Sequence, residues 1–173
     1  MSNFKELLPK INTFIFDVDG VLTDGMVTVM SDGDQIRRMN IKDGYALQYA
    51  VKKGYNIAII SGGSSESVRL RLNGLGITDV FLKASNKIEI FENYIKSKNI
   101  TTDNILYMGD DVPDYPVMIK CGVATCPNDA AIEIKSIAHY ISHKDGGKGC
   151  VRDVIEQVLR CQGKWFDETA HTW

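Results

Sequence analysis

The fold of this chain is decided by residues 13–23, TFIFDVDGVLT, in which a short, mostly apolar run ends in two aspartates and a glycine. Such a run is typical of a strand that is buried on both faces, as strands are in a parallel sheet. Asp17 and Asp19 follow it directly, where no local capping role explains them. In an open α/β sheet, ligands bind beyond the carboxyl ends of the strands. The stretch therefore predicts an α/β fold with reactive carboxylates at one edge of its sheet.

The same pattern repeats outward from this strand. Further apolar runs occupy residues 56–60, 80–82, 105–108, 123–125 and, more weakly, 139–141. Amphipathic stretches between them predict helices at residues 45–53, 64–72, 85–98, 128–136 and 151–161. This alternation predicts a three-layer, Rossmann-like α/β sandwich with a mostly parallel central sheet.

One segment departs from the alternation. Residues 26–30 and 35–39 flank an Asp-Gly pair, which predicts a β-hairpin inserted after the first strand. With 173 residues the chain has the size of one domain. We expect residues 1–173 to form that domain, with the hairpin at about 26–39 and a polar tail at 164–173.

Composition argues against several classes of partner. The 20 basic and 22 acidic residues leave no positive excess, so binding to a nucleic-acid backbone is not expected. No apolar run approaches the ~20 residues of a membrane helix, and residues 1–10 lack the features of a secretion signal. The four cysteines show no C-x-x-C spacing and are expected to be reduced thiols. We therefore expect a cytoplasmic protein without nucleic-acid or membrane partners.

The ends of the predicted strands carry the most reactive side chains. Besides the first two aspartates these are Ser61, Asp110, Asp111 and Asp114, with Lys87 opening the helix after the third strand. Several carboxylates at one edge repel each other, and a hard divalent cation such as Mg²⁺ relieves that repulsion. A metal ion and a lysine around a carboxylate nucleophile suit phosphoryl transfer. Asp17 could attack phosphorus, and a turn at Gly20 would bring Asp19 back as general acid and base.

In this order, residues 17–23, Ser61, Lys87 and residues 109–114 resemble the four motifs of the haloacid dehalogenase superfamily of phosphatases. The resemblance implies the following roles: Asp17 as nucleophile, Asp19 as acid and base, Ser61 as donor to the phosphoryl oxygens and Lys87 as cation. It also implies a Mg²⁺ ion held by Asp17, the Asp19 backbone carbonyl and Asp110. Asp111 and Asp114 would support the site from behind, with Asp114 orienting the lysine.

Three further segments narrow the resemblance to a branch of the superfamily that lacks a separate cap domain. They are residues 40–45, 146–153 and 162–164. The branch includes phosphatases of 3-deoxy-D-manno-octulosonate 8-phosphate, a sugar of lipopolysaccharide biosynthesis, and of sialic-acid-type nononate 9-phosphates. The resemblance implies a Mg²⁺-dependent phosphomonoesterase for a small acidic sugar phosphate, with the octulosonate preferred and the nononate as the alternative.

The same resemblance implies a homotetramer with the hairpins at its centre, in which residues of a neighbouring chain close each active site. The substrate contacts carried over by the match are Asp19, Asn40, Ile41, Lys42, Asp43, Gly44, Arg71 and Lys87. Two positions depart from the pattern, because octulosonate enzymes often carry arginines where this chain has Gly63 and Gln48. The identity of the sugar therefore stays open.

Two other classes of protein also stay open. A receiver-like signalling module forms an aspartyl-phosphate beside a lysine as well, but its acceptor ends the third strand and no acid follows two residues later. Here Asp19 follows Asp17, which favours rapid hydrolysis of the intermediate. A non-catalytic regulatory module is less favoured, because none of the reactive residues is missing.

Overall fold

The central sheet has six parallel strands, and the strand that ends before Asp17 lies in its middle. The computed structural model describes residues 3–172. The strands are β1 Thr13–Phe16, β2 Thr28–Val29, β3 Gln35–Ile36, β4 Asn56–Ile60, β5 Asp79–Phe81, β6 Ile105–Met108, β7 Val123–Cys126 and β8 Tyr140–Ile141. The sheet order is β5-β4-β1-β6-β7-β8 with parallel neighbours, while β2 and β3 pair antiparallel as a separate hairpin. The predicted sheet and its inserted hairpin are confirmed.

Helices cover both faces of this sheet. They are α1 Phe4–Leu7, α2 Ile41–Lys52, α3 Glu66–Asn73, α4 Lys87–Lys98, α5 Tyr115–Met118, α6 Ile132–Ile137 and α7 Cys150–Cys161. Phe14 and Phe16 pack in the core that contains α2, α3 and α7, whereas Ile15 packs in the core that contains α4, α5 and α6. Successive side chains of a strand point to opposite faces, so β1 is fixed from both sides. Its carboxyl end can therefore hold a side chain in a constant position.

The predicted helices begin within two residues of the observed starts, except for two helices whose starts differ by four residues. α2 begins at Ile41 rather than at residue 45, because the Asn40 side chain accepts a hydrogen bond from the Lys42 N–H at 2.8 Å and caps the helix. α6 begins at Ile132 rather than at residue 128. The Asn128 side chain instead donates to Asp145 at 2.9 Å, which ties two loops together.

The tail at residues 164–172 folds back onto α2. The Trp165 ring meets the Tyr49 ring edge-on with 5.3 Å between centroids, and the Tyr49 hydroxyl bonds the Asp167 carboxylate at 3.0 Å. Lys53 pairs with the same carboxylate. Trp173, at the end of the predicted tail, lies outside the described residues. Along residues 3–172, no helix has both the length and the apolar character needed to cross a membrane.

Candidate active site

Asp17 stands where the three middle strands of the sheet end. Phe16 is in register with Ile59 of β4 and with Met108 of β6, so the residues that follow these strands lie side by side. The Asp17 N–H donates to the Met108 carbonyl at 3.1 Å and continues the sheet for one residue. The Val18 N–H then donates to the Asp17 carboxylate at 2.7 Å. These two bonds fix both the backbone and the side chain of the predicted nucleophile.

Lys87, the first residue of α4, is held between two carboxylates. Its Nζ lies 3.0 Å from Asp17 Oδ2 and 2.7 Å from Asp114 Oδ1. The Tyr107 hydroxyl, fully buried in β6, donates to the same Asp114 oxygen at 2.6 Å. Burial lowers the pKa of Lys87, but the charges of Asp17 and Asp114 outweigh burial and raise the pKa overall. Lys87 is therefore a fixed cation beside the nucleophile.

The site holds more negative charge than its lysine neutralises. Burial, followed by the Asp114 charge, raises the pKa of Asp17 to about 7. Burial, followed by the Asp17 charge, raises the pKa of Asp110 to about 8. Asp110 Oδ1 is buried and has no hydrogen-bond partner within residues 3–172. Oxygens of Asp17, Asp110 and Asp114 lie within 4.8 Å of one another.

Two of these three carboxylates fit a Mg²⁺ ion. Asp114 is already engaged, because its oxygens accept hydrogen bonds from Lys87, from Tyr107 and from the N–H groups of residues 110 and 111. The oxygens of Asp17 and Asp110 have fewer hydrogen-bond partners and can still accept a metal ion. Mg²⁺ takes few carboxylates together with water and substrate phosphate. The predicted third ligand, the Asp19 backbone carbonyl, stays a prediction.

Gly20 brings two loops of the site against each other. Its φ of +85° is one that L side chains rarely adopt, and a Cβ there would lie 1.9 Å from Asp110 Oδ2. A Cβ at Gly146 would lie 2.0 Å from the Gly20 carbonyl oxygen, and the Gly147 N–H donates to the Val21 carbonyl at 2.9 Å. The glycine-rich segment at residues 146–149 thus packs directly on the loop that turns after Asp19.

Ser61 follows β4 in a loop that forms one wall of the site. Its buried hydroxyl accepts a hydrogen bond from the Gly63 N–H at 3.1 Å. A cavity of about 480 Å³ opens here, lined by Asp17, Asp19, Gly20, Gly25, residues 61–63, Ala84, Ser85, Lys87, Asp110, Asp111, Pro113 and Asp114. The structure thus brings the side chains predicted for catalysis and metal binding, and both supporting aspartates, to one cavity.

Arg37, the residue after β3, pairs with Asp19 at two points. Its Nε lies 2.5 Å from Asp19 Oδ1 and its Nη2 lies 3.0 Å from Oδ2. Its Nη1 donates to the Gln35 carbonyl at 3.0 Å. The hydrogen bonds and charge of Asp19 raise the pKa of Arg37 although partial burial opposes the shift. The hairpin is exposed, yet the Arg37 side chain is only 7% exposed.

The structure does not bring the other predicted substrate contacts to the cavity of their own chain. Asn40 and Lys42 line a separate cavity of about 510 Å³ beside α7. Ile41, between them, is 67% exposed. Contact of these three residues with substrate stays a prediction.

Asp43, Gly44 and Arg71 lie in a narrow cleft that includes residues of α2 and α3. Asp43 is 1% exposed and accepts a hydrogen bond from the Arg152 N–H at 2.7 Å, so it joins α2 to the start of α7. Burial raises the pKa of Asp43 to about 6 against the effect of its backbone hydrogen bonds. A Cβ at Gly44 would lie 2.6 Å from Arg71 Nη2. Their predicted substrate role is likewise untested.

Sequence reasoning missed Tyr107 and the pairing of Arg37 with Asp19. Tyr107 reads as one more apolar member of the run at residues 105–108, although a hydroxyl within a fully buried strand signals a polar partner. Arg37 is one of several charges near the hairpin. Its contact spans 18 residues and depends on the path of the hairpin, which no local pattern records.

Comparisons relate the chain to proteins of known name and structure. Residues 66–154 match the family model of haloacid dehalogenase-like hydrolases. The 3-deoxy-D-manno-octulosonate 8-phosphate phosphatase of Salmonella typhi is 36% identical over 154 residues, which are 89% of this chain and 82% of that protein. The crystal structure of the phosphatase of the same name from Yersinia pestis has a TM-score of 0.91 and 30% identity, over 94% of this chain and 88% of that one.

A further crystal structure was solved with ligands. It is the 3-deoxy-D-manno-octulosonate 8-phosphate phosphatase from Moraxella catarrhalis in complex with a magnesium ion, a phosphate ion and a KDO molecule. Its TM-score is 0.91 at 30% identity, over 95% of each chain.

Proposed function

The chain belongs to the haloacid dehalogenase-like hydrolases, and from this premise we propose that it hydrolyses 3-deoxy-D-manno-octulosonate 8-phosphate in lipopolysaccharide sugar biosynthesis. It is a phosphoric monoester hydrolase for a small acidic sugar phosphate, and Mg²⁺ is its cofactor. The observation that carries the proposal is the meeting of Asp17, Asp19, Lys87 and Asp110 in one cavity. The relative that holds magnesium, phosphate and KDO together supports the same substrate class.

The residues of the chain divide the reaction into two steps. An Asp17 oxygen attacks phosphorus while the ester bond breaks, and Asp19 gives its proton to the leaving sugar oxygen. Asp19 then takes a proton from a water molecule, whose oxygen attacks the aspartyl-phosphate and releases phosphate and the Asp17 carboxylate. Lys87 and Ser61 meet the phosphoryl oxygens throughout. Bound Mg²⁺ supplies positive charge that offsets the charge of the phosphoryl group and the aspartates.

Phosphate release from the purified chain tests this function. Octulosonate 8-phosphate is expected to release phosphate in the presence of Mg²⁺, and EDTA is expected to stop the release. Asp17→Asn is expected to lower kcat by about 10³-fold or more, because it removes the nucleophile. Asp32→Asn in the exposed hairpin turn is the matched control and should leave kcat unchanged. Activity that survives EDTA or the Asp17 change contradicts the proposal.

The same assay separates the two sugars. The ratio of kcat/KM for octulosonate 8-phosphate to kcat/KM for a nononate 9-phosphate is expected to exceed one. A ratio below one would support the phosphatase activity but make the nononate 9-phosphate its substrate. The departures at Gly63 and Gln48 leave this outcome open.

We also propose that the chain works as a homotetramer in which neighbouring chains close each cavity. Met26, Val29 and Ile36 of the hairpin are 71%, 69% and 47% exposed. Several exposed apolar side chains on one hairpin are typical of a surface that binds protein. Asn40 and Lys42 lie away from their own cavity, which suits contact with the cavity of a neighbour.

Residues 1–173 are proposed to form one capless domain that works in the cytoplasm. All four cysteines are free thiols, which a reducing compartment favours. Limited proteolysis is expected to leave a single resistant fragment, because both cores draw on elements from the two halves of the chain.

A further inference from the structure

The pair between Arg37 and Asp19 occupies the side chain that the reaction needs as its acid. Both Asp19 oxygens accept a guanidinium N–H, at 2.5 Å and 3.0 Å. A carboxyl oxygen that gives its proton to the leaving group points its O–H at that group, which leaves it fewer positions for accepting an N–H. Pairing at both oxygens therefore competes with contact between Asp19 and the leaving oxygen, and departure of the guanidinium opens that contact.

Neighbouring groups fix the position of the Arg37 guanidinium. Its Nη1 and Nη2 also donate to the backbone carbonyl and the side-chain oxygen of Gln35, at 3.0 Å and 3.3 Å. Gly63 lies directly beside the pair, because a Cβ there would lie 3.4 Å from Arg37 Nη2 and 3.3 Å from Asp19 Oδ2. Arg37 is a partly buried cation beside Asp19 and Gly63, which line the substrate cavity.

The substrate class named above carries a second anion. An octulosonate phosphate has a phosphate at one end and a carboxylate at the other. The phosphate takes the place beside Asp17 and Lys87. A carboxylate is the group that competes with Asp19 for a guanidinium, because it offers the same two acceptor oxygens in the same plane.

On the basis of the proposed function, we propose that Arg37 determines specificity by binding the carboxylate of the substrate. Without such a carboxylate, Arg37 stays paired with Asp19 and competes with the leaving oxygen for it. With it, the guanidinium moves to the substrate and frees Asp19 for the leaving oxygen. Binding of the substrate carboxylate and release of Asp19 then happen together, because the same guanidinium next to the hairpin makes both contacts.

The test compares two substrates that differ in the carboxylate. Octulosonate 8-phosphate carries it, and arabinose 5-phosphate has a phosphate ester and hydroxyl groups but no carboxylate. Arg37→Ala is expected to lower kcat/KM for the octulosonate by about 10–100-fold, as loss of a charged hydrogen-bonded contact does. It is expected to leave kcat/KM for arabinose 5-phosphate unchanged or higher. Because misfolding lowers both values by the same factor, the ratio between the two substrates reports recognition alone.

Arg38→Ala is the matched control. Arg38 is the next residue of the same segment, its side chain is 86% exposed, and it pairs with Asp24. Its loss removes the same charge and is expected to leave the substrate ratio unchanged. Arg37→Lys keeps the charge without the planar fork and is expected to fall between the wild type and Arg37→Ala.

A binding measurement and a rescue complete the test. Phosphate-free octulosonate is expected to inhibit competitively, with a Ki that rises in Arg37→Ala by a factor similar to the loss in kcat/KM. Gly63→Arg added to Arg37→Ala returns a guanidinium to the same space and is expected to restore part of the substrate ratio. An equal loss on both substrates, or an unchanged Ki, overturns the role of Arg37. A wild-type chain that hydrolyses no carboxylate-bearing sugar phosphate overturns the proposed function, and this role with it.

Discussion

At the scale of single residues, Asp114 is the side chain on which the cationic half of the site depends. It is 1% exposed, and its two oxygens accept bonds from Lys87, Tyr107 and two backbone N–H groups. A buried carboxylate is tolerated when its acceptor positions are filled in this way. Asp114 can therefore hold Lys87 in place without competing for the metal ion.

Tyr107→Phe tests this arrangement. We expect kcat to fall about 5–10-fold while KM stays within about twofold, because the hydroxyl acts on the reaction only through Asp114 and Lys87. Tyr94→Phe is the control, since that hydroxyl is also buried but makes no hydrogen bond within residues 3–172. Steady-state kinetics on one sugar phosphate measure both. Equal effects of the two changes would show that Tyr107 has only a packing role.

Asp110 makes a second residue-scale prediction. Mg²⁺ at a hundredfold excess over its Kd is expected to raise the Tm of the wild type by about 5–10 °C and that of Asp110→Asn much less. Without metal, Asp110→Asn should be at least as stable as the wild type, because the raised pKa of Asp110 means that its charge disfavours the folded state. Calorimetry measures both, and Asp111→Asn, at an exposed neighbour, should keep the gain in Tm. A full gain in Asp110→Asn would remove Asp110 from the metal site.

At the scale of elements, Asp43 joins two helices that pack on the same face of the sheet. It lies in the first turn of α2 and accepts the Arg152 N–H near the start of α7, while its Oδ2 is buried with no hydrogen-bond partner in the described part of the chain. One oxygen thus supports the helix contact, and the other makes the ionised form unfavourable.

The stability of this joint should depend on pH. The pKa of Asp43 rises from 3.8 to about 6 in the folded state, so its contribution to stability is present below about pH 4 and lost as pH rises through about 6. Asp43→Asn is therefore expected to match the wild type at pH 4 and to exceed its free energy of unfolding by about 1–3 kcal/mol at pH 8. Urea unfolding at both pH values measures this, with Asp32→Asn as control. A difference that does not change with pH contradicts the prediction.

At the scale of the whole molecule, the hairpin predicts the assembly. Val29→Asp places a charge among exposed apolar side chains and is expected to convert a tetramer into smaller species with lower activity. Light scattering coupled to size exclusion measures the mass. Ile132→Asp on α6 is the control, since Ile132 is 78% exposed but lies outside the hairpin. A wild type that runs as an active monomer would rule out the tetramer.

Most of the sheet and of the reactive cluster could be predicted from sequence, because each central strand is a short apolar run that stops at a glycine, serine or aspartate. The contacts between side chains of distant segments could not be predicted in this way. The cap from Asn40 moves the start of α2 by four residues, and the reach of Arg37 to Asp19 depends on a hairpin whose two strands have only two residues each. The tail shows no period, yet it packs through Trp165 and Asp167. Such contacts depend on three-dimensional proximity, which local periodicity does not encode.

The central place of β1 also affects how the chain folds as it is synthesised. β1 pairs with β4 and with β6, so its two neighbours are made about 40 and 90 residues after it. Pairing over such distances is slow, because loops must close before the contacts form. A nascent chain that ends before residue 105 has an apolar β1 with one edge unpaired. The segment that carries the nucleophile therefore needs protection from aggregation during synthesis.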